Sequence, residues 1–311
     1  QRKIYRHYET LPSITDKDWD DIEYAAGSDV DFVALSFIRN AEEVNSVRDF
    51  LKKHDGDVQI ITKIETRQAV DNLSEIIAAS DGLMVARGDL GAEVPFERLP
   101  VIQDDIVYRS RDAGKPVIVA THMLESMTEH PIPTRAEVTD VAHAATEYTD
   151  ATMLSGETAS GKHPPLAVDA MDKILRATEA HLKRMPKDNS LAIHDDSDAR
   201  AEAAVALVTS SEARAILVIS RTGKSAQRIS RFRPEVPIIA MVPTIEVQRR
   251  LQFPYAVYPL LIEFSDMEDT VTRGIEAAKK AGLVRSGDKL VVVSDTKTAD
   301  TPVTSIQVRD V

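Results

Sequence analysis

Residues 82–91 read Gly-Leu-Met-Val-Ala-Arg-Gly-Asp-Leu-Gly, a short apolar run that stops abruptly in a cation, a glycine and a carboxylate. A run of that length bounded by punctuation predicts a buried strand at Gly82–Ala86, with the polar residues marking where it ends. The arrangement recurs along the chain. The strand predicted at Val58–Ile64 ends in Lys63-Ile64-Glu65. That at Pro116–Ala120 leads into Thr121-His122-Met123-Leu124, and that at Ala151–Leu154 into Ser155-Gly156-Glu157-Thr158. A further apolar run, Val30–Phe37, precedes them all. Helical stretches separate the runs, so they read as parallel βα units. Five strands returning in one sense suggest part of a TIM (β/α)8 barrel rather than an open sheet.

Helix punctuation supports this reading. Thr15, followed by Asp16 and Asp18, is an N-cap with acidic residues in the first turn. Gly114 is placed to close the helix that begins near Arg98, and Thr134 to open one that runs towards Tyr148. Between about Pro186 and Asp198 the pattern dissolves into Pro, Asn, Ser, His and Asp, the composition of a linker. Beyond it the alternation resumes. Helices are predicted at Ala199–Ser210, up to Arg231, near Glu246–Leu251 and at Met267–Ala281. Strands are predicted at Ala215–Ser220, Pro237–Met241, Lys289–Ser294 and Val303–Val308. The expected fold is therefore α/β: a partial barrel over residues 1–186 and a smaller C-terminal α/β domain over 187–311.

Composition narrows the function. At 311 residues, 43% hydrophobic and 28% charged, the sequence has the balance of a soluble globular protein with room for two cores. No stretch approaches the roughly 20 apolar residues that span a bilayer, and the first residues do not read as a signal peptide. A net charge of −12 argues against nucleic acid or an anionic membrane as the main partner. The absence of cysteine excludes disulfides, a thiol nucleophile and thiolate metal sites, and fits a reducing cytoplasm.

In a barrel the chemistry gathers where the strands end, because the βα loops form the active face. Glu65 and Asp89 are then candidate oxygen ligands for Mg2+ or Mn2+, hard cations that take one or two carboxylates and complete their shell with substrate and water. Lys63, two residues from Glu65 in an extended segment, faces the same side and sets a positive charge where a phosphoryl group would pass. Gly88 permits close approach of backbone N–H groups to an anion at a helix start, and the Thr121 hydroxyl stands ready to bond it. Each motif alone has a plainer reading. Lys-x-Glu is commonly a surface ion pair, Arg-Gly-Asp a turn, His122 a packing residue, and Glu157 with Thr158 a helix cap. Four such clusters at one rim favour the site.

Longer motifs carry a family resemblance. Ile61-Thr62-Lys63-Ile64-Glu65, Met84–Gly91, Lys115–Thr121, Met123-Leu124-Glu125-Ser126-Met127, Pro133-Thr134-Arg135-Ala136-Glu137 and Met153–Thr158 closely resemble the core of pyruvate kinases. The similarity runs from about Leu11 to Arg233 and more weakly to the end. It implies transfer of the phosphoryl group of phosphoenolpyruvate to ADP, giving pyruvate and ATP. Lys63 would stabilise the transfer, and Glu65 and Asp89 would hold the divalent metal. Ala86, Gly88 and Asp89 would offer backbone contacts to the substrate carboxylate, beside Thr121. Thr121 and Ser155 are both candidates for the relay that protonates enolpyruvate. Arg87 and Arg135 would organise the rim or a subunit interface of a cytoplasmic homotetramer.

The resemblance also makes the second domain a regulatory one, with Ser220, Thr222, Gly223, Lys224 and Ser225 receiving a phosphorylated allosteric effector. It is not a P-loop, since Val218 stands where the first glycine would fall. The segment Ser294–Asp300 has no glycine, which argues against a sugar bisphosphate as activator. At the front, Leu11–Asp18 resembles the point where the family's barrel resumes after an inserted lid domain. The first three strands, the lid, the loop that binds phosphate and K+, and most nucleotide contacts are accordingly expected outside this sequence. Two alternatives follow: a metal-dependent 2-oxo acid lyase on a similar barrel, and a non-catalytic truncated partner of a full-length kinase.

Overall fold

The structure, a computed structural model, describes residues 12–183, 191–298 and 301–311. Two compact units emerge. One holds the chain up to Glu147 together with Thr152–Leu175, the other Tyr148–Ala151 and the chain from Arg176 onward.

In the first unit, helix α1 (Asp16–Ala26) starts at Thr15, whose side chain accepts from Asp18 N while the Asp18 carboxylate bonds back to the cap, a complete capping box. Strand and helix then alternate: β1 (Phe32–Leu35), α2 (Ala41–Lys53), β2 (Gln59–Ile64), α3 (Arg67–Asp71), α4 (Leu73–Ala79), β3 (Gly82–Ala86) and α5 (Arg87–Glu93). They continue through α6 (Leu99–Asp112), β4 (Val117–Ala120), α7 (Arg135–Thr146), β5 (Ala151–Met153), α8 (Gly156–Ala159) and α9 (Pro164–Leu182), of which Ala151 and the part of α9 from Arg176 onward belong to the second unit. The strands form one sheet in the order β1-β2-β3-β4-β5, parallel throughout the registered pairs. This is a run of βα units in barrel order, as the sequence predicts. The capping expectations also hold. Thr134 makes a capping box with Glu137, and Gly114, at φ 68°, donates to Arg111 O behind α6.

The pleat separates core from chemistry. Ile60, Ile64, Leu83, Val85, Val117 and Val119 are buried in one cluster with Val44, Leu73, Ile76 and Ile106 of the helices. Each such side chain stabilises the fold by about 1.5–3 kcal/mol. Because successive side chains alternate, the opposite face of β2 carries Lys63 and the residue beyond the strand, Glu65.

The second unit contains α10 (Asp196–Ser211), β6 (Ala215–Ile219), α11 (Lys224–Arg231), β7 (Ile238–Val242) and α12 (Ile245–Arg250). It ends with β8 (Val257–Leu261), α13 (Met267–Lys280), β9 (Lys289–Thr298) and β10 (Thr301–Asp310). Its sheet runs β10-β9-β6-β7-β8, parallel except for antiparallel β10. Ile216 and Val218 enter one apolar cluster, Ala215 and Leu217 another, so both faces of the sheet are covered.

Three expectations need correction here. α10 begins at Asp196 rather than Ala199, because Asp195 caps it by accepting from Ser197 N and Asp198 N. β8 escaped the sequence reading because Pro259 sits in its middle; proline is tolerated there since β8 is the sheet edge. The closing strands extend beyond Ser294 and Val308 because they pair with each other along their length. Residues 184–190, which include the start of the expected linker, Leu11, and Ala299 and Asp300 of the glycine-free segment lie outside the described residues. No helix among the described residues is long and apolar enough to cross a membrane.

Candidate active site

Parallel register brings the ends of β1, β2, β3 and β4 to one rim, and β5 is next in the sheet. Leu35 stands opposite Thr62, Lys63 opposite Met84, and Ala86 opposite Ala120. The residues next along the chain are therefore neighbours: Ser36 after β1, Glu65 after β2, Arg87-Gly88-Asp89 after β3, Thr121 after β4, and Ser155 just beyond β5.

Lys63 and Glu65 form the centre. Lys63 Nζ lies 2.5 Å from Glu65 Oε1 and donates to Ser36 Oγ at 2.8 Å. Glu65 is fully buried, whereas the Lys63 side chain is 24% exposed. Glu65 Oε2 accepts from Phe37 N at 2.8 Å. Oε1 receives no aligned hydrogen bond; its contact with the ammonium is electrostatic only. A buried carboxylate oxygen in that condition is costly, and a metal cation that took the ammonium's place would satisfy it. Asp89, in the first turn of α5, has no hydrogen-bond or ion-pair partner among the described residues. No group of three or more His, Cys, Asp or Glu residues gathers as a metal site among the described residues. Two carboxylates, one with an unsatisfied buried oxygen, fit a hard divalent cation that draws its other ligands from substrate and water.

The β3 and β4 ends are tied together by Arg87. Its guanidinium, with 8% of the side chain exposed, donates from Nε and Nη2 to Thr121 O, from Nη2 to His122 O and from Nη1 to Asp140 Oδ1. Those bonds hold Thr121 and His122 in left-handed conformations, φ 68° and 53°, which non-glycine residues adopt only under constraint. Thr121 Oγ1 in turn accepts from Gly88 N at 2.7 Å and donates to Ala120 O at 2.6 Å. The Gly88 N–H is thus engaged by Thr121, and a ligand carboxylate approaching Gly88 would share or replace that bond. His122 is exposed, not packed as its plainer reading suggests.

The β5 end is braced differently. Glu157 is fully buried, and its two oxygens accept from Leu124 N at 2.9 Å and Ser155 N at 2.7 Å. It therefore bridges two strand ends rather than merely capping α8. Ser155, at φ −118° and ψ −100°, carries a buried Oγ with no hydrogen-bond partner, a hydroxyl available to a ligand or water.

Ser36, Phe37, Asp140 and the bridging role of Glu157 were not legible beforehand. The apolar pattern carries the first strand through Phe37, which hides the turn that Ser36 and Phe37 make. Asp140 lies 53 residues from Arg87, a separation that no local pattern reports.

In the second unit the candidate effector loop lies between β6 and α11. Ser220 is buried and its N–H donates to Met241 O. Thr222 and Lys224 are exposed and Ser225 is half-buried. Gly223 caps α11 at φ 83°, where a Cβ would also stand 3.0 Å from Leu251 Cδ2, so glycine is required there twice over. Behind the loop, Arg228 and Arg231 of α11 pair with Asp195 and Asp198.

Comparison with known proteins agrees with this architecture. Residues 7–168 match the family model for the pyruvate kinase barrel domain, and residues 198–306 that for the pyruvate kinase alpha/beta domain. Pyruvate kinase isozyme G, chloroplastic, from Nicotiana tabacum is 43% identical over 297 residues, covering 91% of this chain and 51% of that protein. The pyruvate kinase of Clostridium acetobutylicum is 39% identical over 93% of this chain and 62% of its own length. That of Thermotoga maritima is 40% identical over 92% and 61%. The chain thus spans roughly half to three-fifths of the length of these relatives. Matched along nearly all of its own length, the chain belongs to the pyruvate kinase family.

Proposed function

We propose that this chain carries the metal- and phosphoenolpyruvate-binding part of a phosphotransferase that forms pyruvate and ATP from phosphoenolpyruvate and ADP. The observation that carries the reading is the buried Glu65 carboxylate with one unsatisfied oxygen, flanked by Lys63 and facing the same rim as the unpartnered Asp89. Mg2+ or Mn2+ held by Glu65 and Asp89 would supply Lewis-acid stabilisation of the phosphoryl and enolate oxygens. The Lys63 ammonium supports the negative charge on the phosphoryl group as its bond to the enol oxygen breaks and the bond to the ADP β-phosphate oxygen forms. Backbone at Ala86, Gly88 and Asp89, with the Thr121 hydroxyl, orients the substrate carboxylate. The enolate left behind takes a proton at its methylene carbon through Thr121 or Ser155. Ser155 has a buried hydroxyl without a partner, whereas Thr121 already makes two bonds.

By the same reading the protein is a cytoplasmic homotetramer. The residues of this chain supply no K+ ligands to the reading, and the loop of Ser220, Thr222, Gly223, Lys224 and Ser225 takes a phosphorylated effector. The test is pyruvate formation from phosphoenolpyruvate with Mg2+, with and without ADP. Formation that requires ADP and is lost in Lys63→Met supports the kinase. Formation without ADP supports a 2-oxo acid lyase. No formation here, with a rise in the rate of an added full-length kinase, supports a non-catalytic partner.

A further inference from the structure

Lys63 stands where a metal ion would have to go. A divalent cation bound to Glu65 Oε1 needs a separation of about 2.0–2.2 Å from that oxygen, and the ammonium is already 2.5 Å from it. Two cations cannot share one oxygen at such range without strong repulsion. Entry of the metal therefore requires the amine to leave Oε1. The other acceptor that the structure gives it is Ser36 Oγ, at 2.8 Å.

The neighbouring turn decides which oxygen is offered. Phe37 adopts φ 56°, a conformation costly for an aromatic residue, and the residue remains 53% exposed, so burial of the side chain does not explain the strain. What the turn delivers is the Phe37 N–H at 2.8 Å from Glu65 Oε2. With Oε2 held, the carboxylate presents Oε1 alone.

We propose that the Ser36–Phe37 turn governs an exchange of cations at Glu65. The Phe37 N–H restricts Glu65 to one-oxygen ligation through Oε1, and Ser36 is a positioning residue that receives the Lys63 ammonium when the metal displaces it. The inference rests on the reading that Glu65 holds a divalent metal.

The experiment is Mn2+ binding to the full chain without substrate, measured by titration of free Mn2+ in electron paramagnetic resonance. Circular dichroism verifies the fold of each variant. Lys63→Met, which removes the competing cation, is expected to tighten Mn2+ binding about tenfold. Ser36→Ala, which leaves the ammonium with Glu65 as its main acceptor, is expected to weaken it about threefold. Ser36→Thr, which keeps a hydroxyl, is expected to restore most of the affinity. In a Lys63→Met background, Ser36→Ala is expected to have no effect, because Ser36 acts only through the amine. An unchanged affinity in Ser36→Ala, or an equal loss in both backgrounds, overturns the proposal and leaves Ser36 a structural residue. Mn2+ binding that is absent, or indifferent to Glu65→Gln, rejects the metal reading itself and the proposal with it.

Discussion

Substituting Gly88 by alanine separates what the fold needs from what the ligand needs. Gly88 lies in the first turn of α5, and its backbone is not in the left-handed region. A Cβ built there meets Thr121 Oγ1 at 3.5 Å, His122 Cε1 at 3.6 Å and Thr121 Cβ at 3.7 Å, all ordinary contacts. The N–H that donates to Thr121 survives the change. Nothing in the unliganded chain opposes the methyl group, and alanine is the better helix former by up to about 1 kcal/mol. Stability, read from urea unfolding followed by circular dichroism, is expected to stay level or rise within that bound. Phosphoenolpyruvate affinity is expected to behave differently. A carboxylate seated on this backbone would meet the new methyl, and overpacking of that kind costs about 1–3 kcal/mol, or roughly a 5- to 150-fold loss. Calorimetric titration with phosphoenolpyruvate in the presence of Mn2+ measures it. Unchanged affinity would remove Gly88 from the substrate site. A loss of more than about 1 kcal/mol of stability would show that the space around Gly88 is tighter than the structure has it.

Glu157→Gln is expected to destabilise the first unit by about 2–3 kcal/mol, because an amide has one acceptor oxygen for the two buried N–H groups that Glu157 now serves; unchanged urea unfolding would refute the bridge. Arg233 pairs bidentately with Asp150, both nearly buried, and also donates to Tyr148 O. Arg233→Met should therefore cost the second unit about 3–5 kcal/mol by stranding a buried carboxylate, an effect largely relieved in the double variant with Asp150→Asn. Hydrogen bonding to Arg228 holds the Asp195 carboxyl down at about 2, below its ordinary 3.8. A depressed acid contributes stability above its unfolded value. This share of the second unit's stability is thus present above pH 3.8 and lost as pH falls to about 2. Removing the pair with Arg228→Gln should flatten the acid limb of a pH–stability curve in that window, and an unaltered limb would count against the pairing.

Much of this protein was decided by local sequence. Apolar runs of strand length with helices between them, and caps at Thr15 and Thr134, specify βα units because strand burial and helix termination are settled over a few residues. Lys63, Glu65, Gly88, Asp89, Thr121 and Ser155 were legible as candidates because each follows directly on a strand, and parallel strands end together on one rim. The tertiary structure decided what surrounds them. The Ser36–Phe37 turn, the reach of Arg87 to Asp140 and the bridge of Glu157 to Leu124 join residues 28 to 53 positions apart, across different βα units. No periodicity encodes such contacts, because they depend on which strands become neighbours and in what register. The edge strand β8 shows the same limit: Pro259 argues against a strand until the sheet leaves one of its sides unpaired.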